Sequence, residues 1–334
     1  MISSLKVTGK FLDQPILVAK LGKAVPIGLG VGAGVFTAHS AFHESNPKRK
    51  KKTAVQTGVV LASTIASALV APKIATAITK KKPLTPLKQI IADNTKNVDE
   101  FVSSRILAKN TEKILEKAKK KVLAPREIKM LQTELKGNDG KAFLNKLIPP
   151  PENVSSKDIF SEIGWLSIVG ACPVAGGVAG GILADKINGE NWKKRLPDKI
   201  KEGSYQYLAN IFLCNVGAGV ALGIMEKNNI KSRMARGLGM VAGIVVTGVI
   251  GGSKIANYIG DKVINPLCGE KKKCIKGDER TPELVDIGLH TDDIATVSLL
   301  SGLKWIEPML PVLYTVSGYR AGIGYRNHEK CSKT

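Results

Sequence analysis

A chain of 334 residues with a formal net charge of +22 is drawn to anionic surfaces, either phospholipid headgroups or nucleic acid. Its 5% of Phe, Trp and Tyr leaves few stacking platforms outside the apolar blocks, so lipid rather than nucleic acid is the expected partner. Five cysteines in this length are no disulfide framework, and the near-zero mean hydropathy conceals long apolar and charged blocks kept apart along the chain.

Residues 1–23 place Lys6, Lys10, Lys20 and Lys23 ahead of an apolar run. The basic region is too long for a signal peptide and no early small-residue cleavage pattern follows, so it reads as a retained amphipathic lead-in. A spanning helix needs about 20 apolar residues. Five stretches without Asp, Glu, Lys or Arg approach or meet that length: 24–43, 53–72, 163–184, 203–225 and 237–253, the last extended past a snorkelling Lys254 to Ile259. The chain is therefore expected to be all-α, a multi-span integral membrane protein.

The stretches are rich in Gly, Ala and Val, with glycines repeatedly four apart: Gly28 and Gly32, Gly30 and Gly34, Gly176 and Gly180, Gly177 and Gly181, Gly219 and Gly223, Gly239 and Gly243, Gly248 and Gly252. That spacing puts each pair on one helix face, where a neighbouring backbone approaches closely in lipid. Glycine-rich helical hairpins are expected, with the same faces available to a second copy of the chain. The turn after the first span holds Lys48, Arg49, Lys50, Lys51 and Lys52, suited to anionic headgroups and to the cytoplasmic side.

Residues 80–157 read as an inserted basic soluble segment of three or four short amphipathic helices. Val98, Phe101, Val102 and Ile106 share one face; so do Ile114, Ala118 and Val122, then Ile128, Leu131 and Leu135. A turn is expected at 136–140 and a stiff linker at Pro149, Pro150 and Pro151, with Lys119, Lys120 and Lys121 on a solvated face. The expected division is thus 1–79, lead-in and first hairpin; 80–157, soluble segment; 158–262, three spans; and 263–334. In the last, residues 294–319 form either a broken span or an interfacial helix, because Lys304, Glu307, Pro308 and Pro311 interrupt them. Tyr319, Arg320, Tyr325 and Arg326 close that region with a cluster suited to the headgroup zone.

Val31–Val35 (Val-Gly-Ala-Gly-Val) recurs at Val216–Val220, and Lys73, Ile74, Ala75, Ile78 and Lys81 match Lys254, Ile255, Ala256, Ile259 and Lys262. If a hairpin was duplicated with one span between copies, the copies run in opposite directions, as in inverted transporter repeats. Charge and orientation conflict, since strict alternation places the basic segments 80–157 and 227–236 opposite the basic turn.

No P-loop and no His-Glu-x-x-His pattern occurs. His39, His43 and Glu44 form the nearest metal-like set, which an interfacial polar cap explains equally, and Cys268, Cys274 and His290 lack zinc-site spacing. Cys268 and Cys274 bracket a loop that a disulfide closes in an oxidising compartment; two free thiols are the alternative. The densest polar cluster beside an apolar block is His290, Asp292 and Asp293, followed by Lys304 and Glu307, the candidates for an ion or proton pathway. No cofactor or metal is implied. The leading expectation is a non-enzymatic protein that scaffolds an anionic bilayer; the alternative is a small transporter or channel, to be told apart by whether the span interior is polar to mid-depth.

Overall fold

The computed structural model describes residues 7, 10–81, 84–149, 155–268, 280–283, 286 and 307–325. Every element there is a helix: α1 Pro15–His43, α2 Pro47–Thr79, α3 Leu87–Ser103, α4 Lys109–Ala118, α5 Pro125–Glu134, α6 Asn138–Leu147, α7 Ser156–Ile187, α8 Trp192–Tyr207, α9 Leu213–Lys227, α10 Arg233–Ile244, α11 Ser253–Ile259, α12 Asn265–Leu267 and α13 Leu310–Ile323. A π-helical segment, Leu208–Phe212, joins α8 to α9; two more, Val245–Gly252 and Gly260–Ile264, join α10, α11 and α12. Five helices are long and apolar enough to cross a membrane, Pro15–His43, Pro47–Thr79, Ser156–Ile187, Trp192–Lys227 and Ala235–Leu267. That is consistent with a multi-pass membrane protein.

The chain divides into two compact units, each drawn from several stretches of sequence. One draws on Met1–Val25, Lys82–Val154 and Ser298–Met309, the other on Pro26–Lys81, Ser155–Val297 and Leu310–Thr334. The boundary at Pro26 lies within α1.

In the first unit, α3 to α6 enclose an apolar core. Val98, Phe101, Ile114, Leu115, Leu123, Ile128, Leu131 and Leu144 are buried in it, each contributing about 1.5–3 kcal/mol. The Phe101 and Phe143 rings stack at 3.9 Å. Gln14 reaches the chain between α4 and α5 with both ends of its amide, donating to the Leu123 carbonyl (2.8 Å) and accepting from its N–H (2.7 Å). Three sequence expectations are corrected here. Ile106 is fully exposed, because α3 ends at Ser103 and carries the apolar face no further. The turn at 136–140 is shorter, since α6 already starts at Asn138. Lys119 is not on a solvated face: it bridges Asp99 (2.6 Å) and Glu116 (2.5 Å), which raise its pKa.

In the second unit the helix starts are set by local chemistry. Asn46 accepts from the Lys48 N–H (3.0 Å) with Pro47 in the first turn, so Lys48–Lys52 belong to α2 rather than to a loop. Ser155 and Asp158 form a reciprocal cap at α7. Gly189, at φ 69°, makes the turn into α8. α2 and α7 are antiparallel: Lys52 pairs with Glu190 (2.7 Å) at one end and Lys81 with Glu162 (2.8 Å) at the other, while Ser63 Oγ donates to the Gly176 carbonyl (2.7 Å) between. The α9–α10 turn lies at the opposite end of α7 from the α7–α8 turn, since Glu226 accepts from Ser156 N (3.1 Å) and from its hydroxyl. The spans therefore alternate, and the hairpin α1–α2 runs in the opposite sense to the hairpin α9–α10.

Of the region 294–319, residues 294–306 lie outside the described residues; from Leu310 the chain forms α13, a 14-residue helix packed against α2 and α7. A Cβ on Gly318 would overlap the Pro173 carbonyl and Thr64; one on Gly322 would overlap the Gly177 carbonyl and Val60. At 1.5 Å per residue α13 is about 21 Å long, short of a bilayer core of about 30 Å.

Candidate functional site

The first turns of α8 are the most heavily charged part of any candidate span, and the helix buries much of that charge. Lys199 and Glu202 have no exposed surface, and Lys201 and Gln206 are buried beside them. Two clusters result.

The smaller is centred on Asp185, fully buried near the end of α7. Arg195 Nη1 lies 2.6 Å from one carboxylate oxygen and Lys199 Nζ 3.2 Å from the other. Lys199 also donates to the Gly322 carbonyl at the end of α13 (2.8 Å). A helix C-terminus is the negative end of its dipole, so a short helix ending beside an ammonium favours it.

The larger cluster surrounds Arg280, which is 1% exposed. Its Nε lies 2.8 Å from Glu202 Oε2, and its Nη1 and Nη2 make a fork on Asp286 at 2.8 and 2.9 Å. The Tyr205 ring covers one guanidinium face, 3.9 Å from Cζ to centroid. The backbone of Arg280 is held by α11: its N–H donates to Asn257 Oδ1 (3.0 Å) and its carbonyl accepts from Asn257 Nδ2 (2.9 Å). Arg320 of α13 pairs with Glu283 (2.6 Å), lies 3.7 Å from Glu202 and 3.6 Å from Asp286, and sits over the Tyr325 ring, whose hydroxyl donates to Glu283 (2.8 Å). Burial pushes the Asp286 carboxyl up, but the Arg280 fork and charge, the Glu283 N–H and Arg320 outweigh it and hold it below the usual carboxylate range.

A polar ladder carries the network along the span. Gln206 donates to Glu202 (2.8 Å), Asn210 donates to Gln206 (3.0 Å) and also to Asp286 (3.1 Å). Glu202, Gln206 and Asn210 are four residues apart and so share one helix face. Asn210 is the nineteenth of the 36 residues of Trp192–Lys227, near mid-length, and Glu202 lies about 12 Å closer to the α7–α8 end. The π-helical segments Leu208–Phe212 and Val245–Gly252 meet beside it, where a Cβ on Gly252 would fall 2.6 Å from Ala209 Cα. Such segments recur at functional sites.

Asp292, Asp293 and Lys304 lie outside the described residues, as do His290, Cys274 and Arg326. Glu307 opens the 3-10 turn Glu307–Met309. Arg320 and Tyr325, expected at headgroups, belong instead to the buried network. Cys268 has a free thiol. His39 and His43 stack, centroids 4.2 Å apart, and no group of three potential metal ligands occurs among the described residues.

A Cβ on Gly176 or Gly180 would strike Ser67 or Ser63 of α2, on Gly177 or Gly181 the Gly318 or Gly322 carbonyl, and on Gly219 the Phe160 ring (2.9 Å). Gly223 stands 3.6 Å from Ser156 by the same measure. Gly28 and Gly32 differ: a Cβ there would meet nothing within 4 Å among the described residues, which do not make the packing expected of them. Lys48, Arg49, Lys50, Lys51 and Lys52 are exposed, as are Lys186, Lys193 and Lys194 around the adjoining turn.

The charge-free stretches end at Ala184 and resume at Gly203, which leaves out Asp185, Lys199 and Glu202, and nothing local marks Arg280 and Asp286 as their partners. The ladder Glu202–Gln206–Asn210 was the available signal. No family model, no curated protein and no solved structure matches the chain.

Proposed function

We propose that this is a non-enzymatic multi-pass membrane protein that conducts a small polar solute or ion, with glycine-packed hairpins forming its wall and the amphipathic helices of residues 80–157 inserted between spans. One observation carries this reading: a charged and polar network extends from near one end of the spans to mid-length, between α8, α11 and α13. Ionisable groups at membrane depth are costly and concentrate on solute and proton paths. The half-length α13, ending on Lys199, adds support, because interrupted helices whose ends face the bundle interior mark transporter sites. The opposed sense of the two similar hairpins agrees with an inverted repeat. The test is flux through proteoliposomes of purified protein. Permeability above that of empty vesicles, lost in Glu202→Gln and kept when Lys48, Lys50 and Lys51 become Gln, supports the reading; permeability equal to empty vesicles for a panel of cations, anions and amino acids sinks it.

A second reading, a scaffold on an anionic bilayer, is favoured by the eight exposed cations around the α2 start and the α7–α8 turn. Five of them, Lys48–Lys52, open α2, where the helix dipole is positive and disfavours cations, so anionic headgroups there relieve a cost built into the fold. If copies associate, the open face of Gly28 and Gly32 is where their helices meet. Co-flotation with phosphatidylglycerol vesicles in preference to phosphatidylcholine, together with absence of flux, would put this reading first.

A further inference from the structure

We infer that Glu202, Tyr205 and Asp286 form a binding site for a small guanidinium-bearing cation, and that the side chain of Arg280 occupies it as a tethered competitor. This rests on the conducting reading and names its substrate class.

The pocket has the shape of the group. A guanidinium offers one N–H on its Nε edge, a two-pronged fork opposite and two flat faces. Glu202 Oε2 lies 2.8 Å from Nε as a charge contact rather than an aligned hydrogen bond, the two oxygens of Asp286 accept from the fork at 2.8 and 2.9 Å, and the Tyr205 ring covers a face at 3.9 Å. An ammonium can bridge two carboxylates but has no planar fork to match the two Asp286 oxygens and no flat face to lie against the Tyr205 ring.

The walls do not depend on Arg280 for their positions. Glu202 and Tyr205 stand on α8, a continuous span, with Gln206 bonded to Glu202. Asp286 is held by Asn210 Nδ2 at 3.1 Å, by the Glu283 N–H at 2.8 Å and by Arg320 at 3.6 Å. Arg280 itself is on none of the helices; it enters from the chain between α12 and α13 and is anchored through its backbone to Asn257 and Ser253. Its side chain thus reaches Glu202 and Tyr205 on α8 from outside that helix, while Asp286 stands six residues on in its own connecting segment. A mobile cation replaces like with like, whereas opening the site to an anion or a neutral solute would take a guanidinium charge from beside Glu202 and Asp286, a loss that Arg320 at 3.7 and 3.6 Å offsets only in part.

Methylguanidinium is the probe, titrated calorimetrically into the full-length protein in detergent with tetramethylammonium as the control. The parent is expected to bind methylguanidinium and not the control. Arg280→Ala should bind about tenfold or more tightly, because a tethered competitor acts at millimolar or higher effective concentration. Glu202→Gln and Tyr205→Leu should each weaken binding about tenfold, the loss of one charge pair or one cation–π contact. Binding by the parent that survives both wall substitutions overturns the site, as does Arg280→Ala binding no more tightly than the parent. If Arg280→Ala does not fold, the parent alone decides: no saturable heat with methylguanidinium up to roughly 50 mM, well above the millimolar effective concentration of a short tether, overturns the proposal. Binding as described without methylguanidinium flux in proteoliposomes keeps the site and removes the conducting role; flux of other solutes without such binding does the reverse.

Discussion

Gly177 and Gly318 bring α7 and α13 together backbone to backbone: a Cβ on Gly177 would overlap the carbonyl of Gly318, and one on Gly318 would overlap the carbonyl of Pro173. A main-chain carbonyl cannot rotate away as a side chain does. Gly177→Ala is therefore expected to lower stability by about 1–3 kcal/mol, the ordinary cost of overpacking. Gly28→Ala, on an open face, should be neutral or stabilising by up to about 1 kcal/mol through helix propensity. Thermal unfolding in detergent separates the two; equal midpoints for both variants would show that the α7–α13 contact yields freely.

The Asp185–Lys199 pair should behave as one unit. Asp185→Asn leaves the Lys199 ammonium buried without its carboxylate, at about 3–5 kcal/mol, whereas Lys199→Met should cost less because Arg195 still holds Asp185 at 2.6 Å. The double substitution should recover most of that loss, a coupling energy readable from a double-mutant cycle. Additive effects would mean that the pair contributes through neither charge.

Asp286 gives the protein an acid-sensitive component. In the unfolded chain its carboxyl titrates at about 4; in the fold it is held lower. The contribution is therefore complete above about pH 4 and is lost as pH falls through the lower folded value. On acidification the melting temperature of the parent should converge on that of Asp286→Asn. A gap between the two that stays constant from pH 7 to about pH 3 would rule out that linkage.

Membranes carrying the protein should retain it through alkaline carbonate and high-salt washes, because insertion of apolar helices outweighs charge that salt screens. Release by salt alone would demote the helices to a peripheral bundle.

Five helices long and apolar enough to cross a membrane were legible because each holds a stretch of about 20 residues without charge, a signal that depends on composition alone. Their ends were not. α8 continues through Lys193, Lys194, Arg195, Asp198, Lys199, Lys201 and Glu202, and a helix accepts such residues when partners neutralise them. Those partners are remote in sequence: Asp185 across a turn, Arg280 and Asp286 nearly eighty residues on, and the Gly322 carbonyl farther still. Reasoning from neighbours along the chain favoured Asp292, Asp293, Lys304 and Glu307 instead. In the inserted segment, helix periodicity identified the core at Val98, Phe101, Ile114, Ile128 and Leu131. It failed at Ile106, where the helix had already stopped.

The exposed cations lie at the same end of the spans from which the network descends, since Lys52 touches Glu190 in the turn that opens α8. A cation approaching Glu202 from that side climbs a positive potential, so its entry rate should rise with ionic strength, as the Debye length contracts to about 8 Å near physiological salt. Anionic lipid gathered by Lys48–Lys52 would cancel the same barrier without added salt. In a protein that conducts a cation, the composition of the bilayer would then set how fast the interior is reached, and the basic collar would act as a lipid-dependent resistance in series with the site.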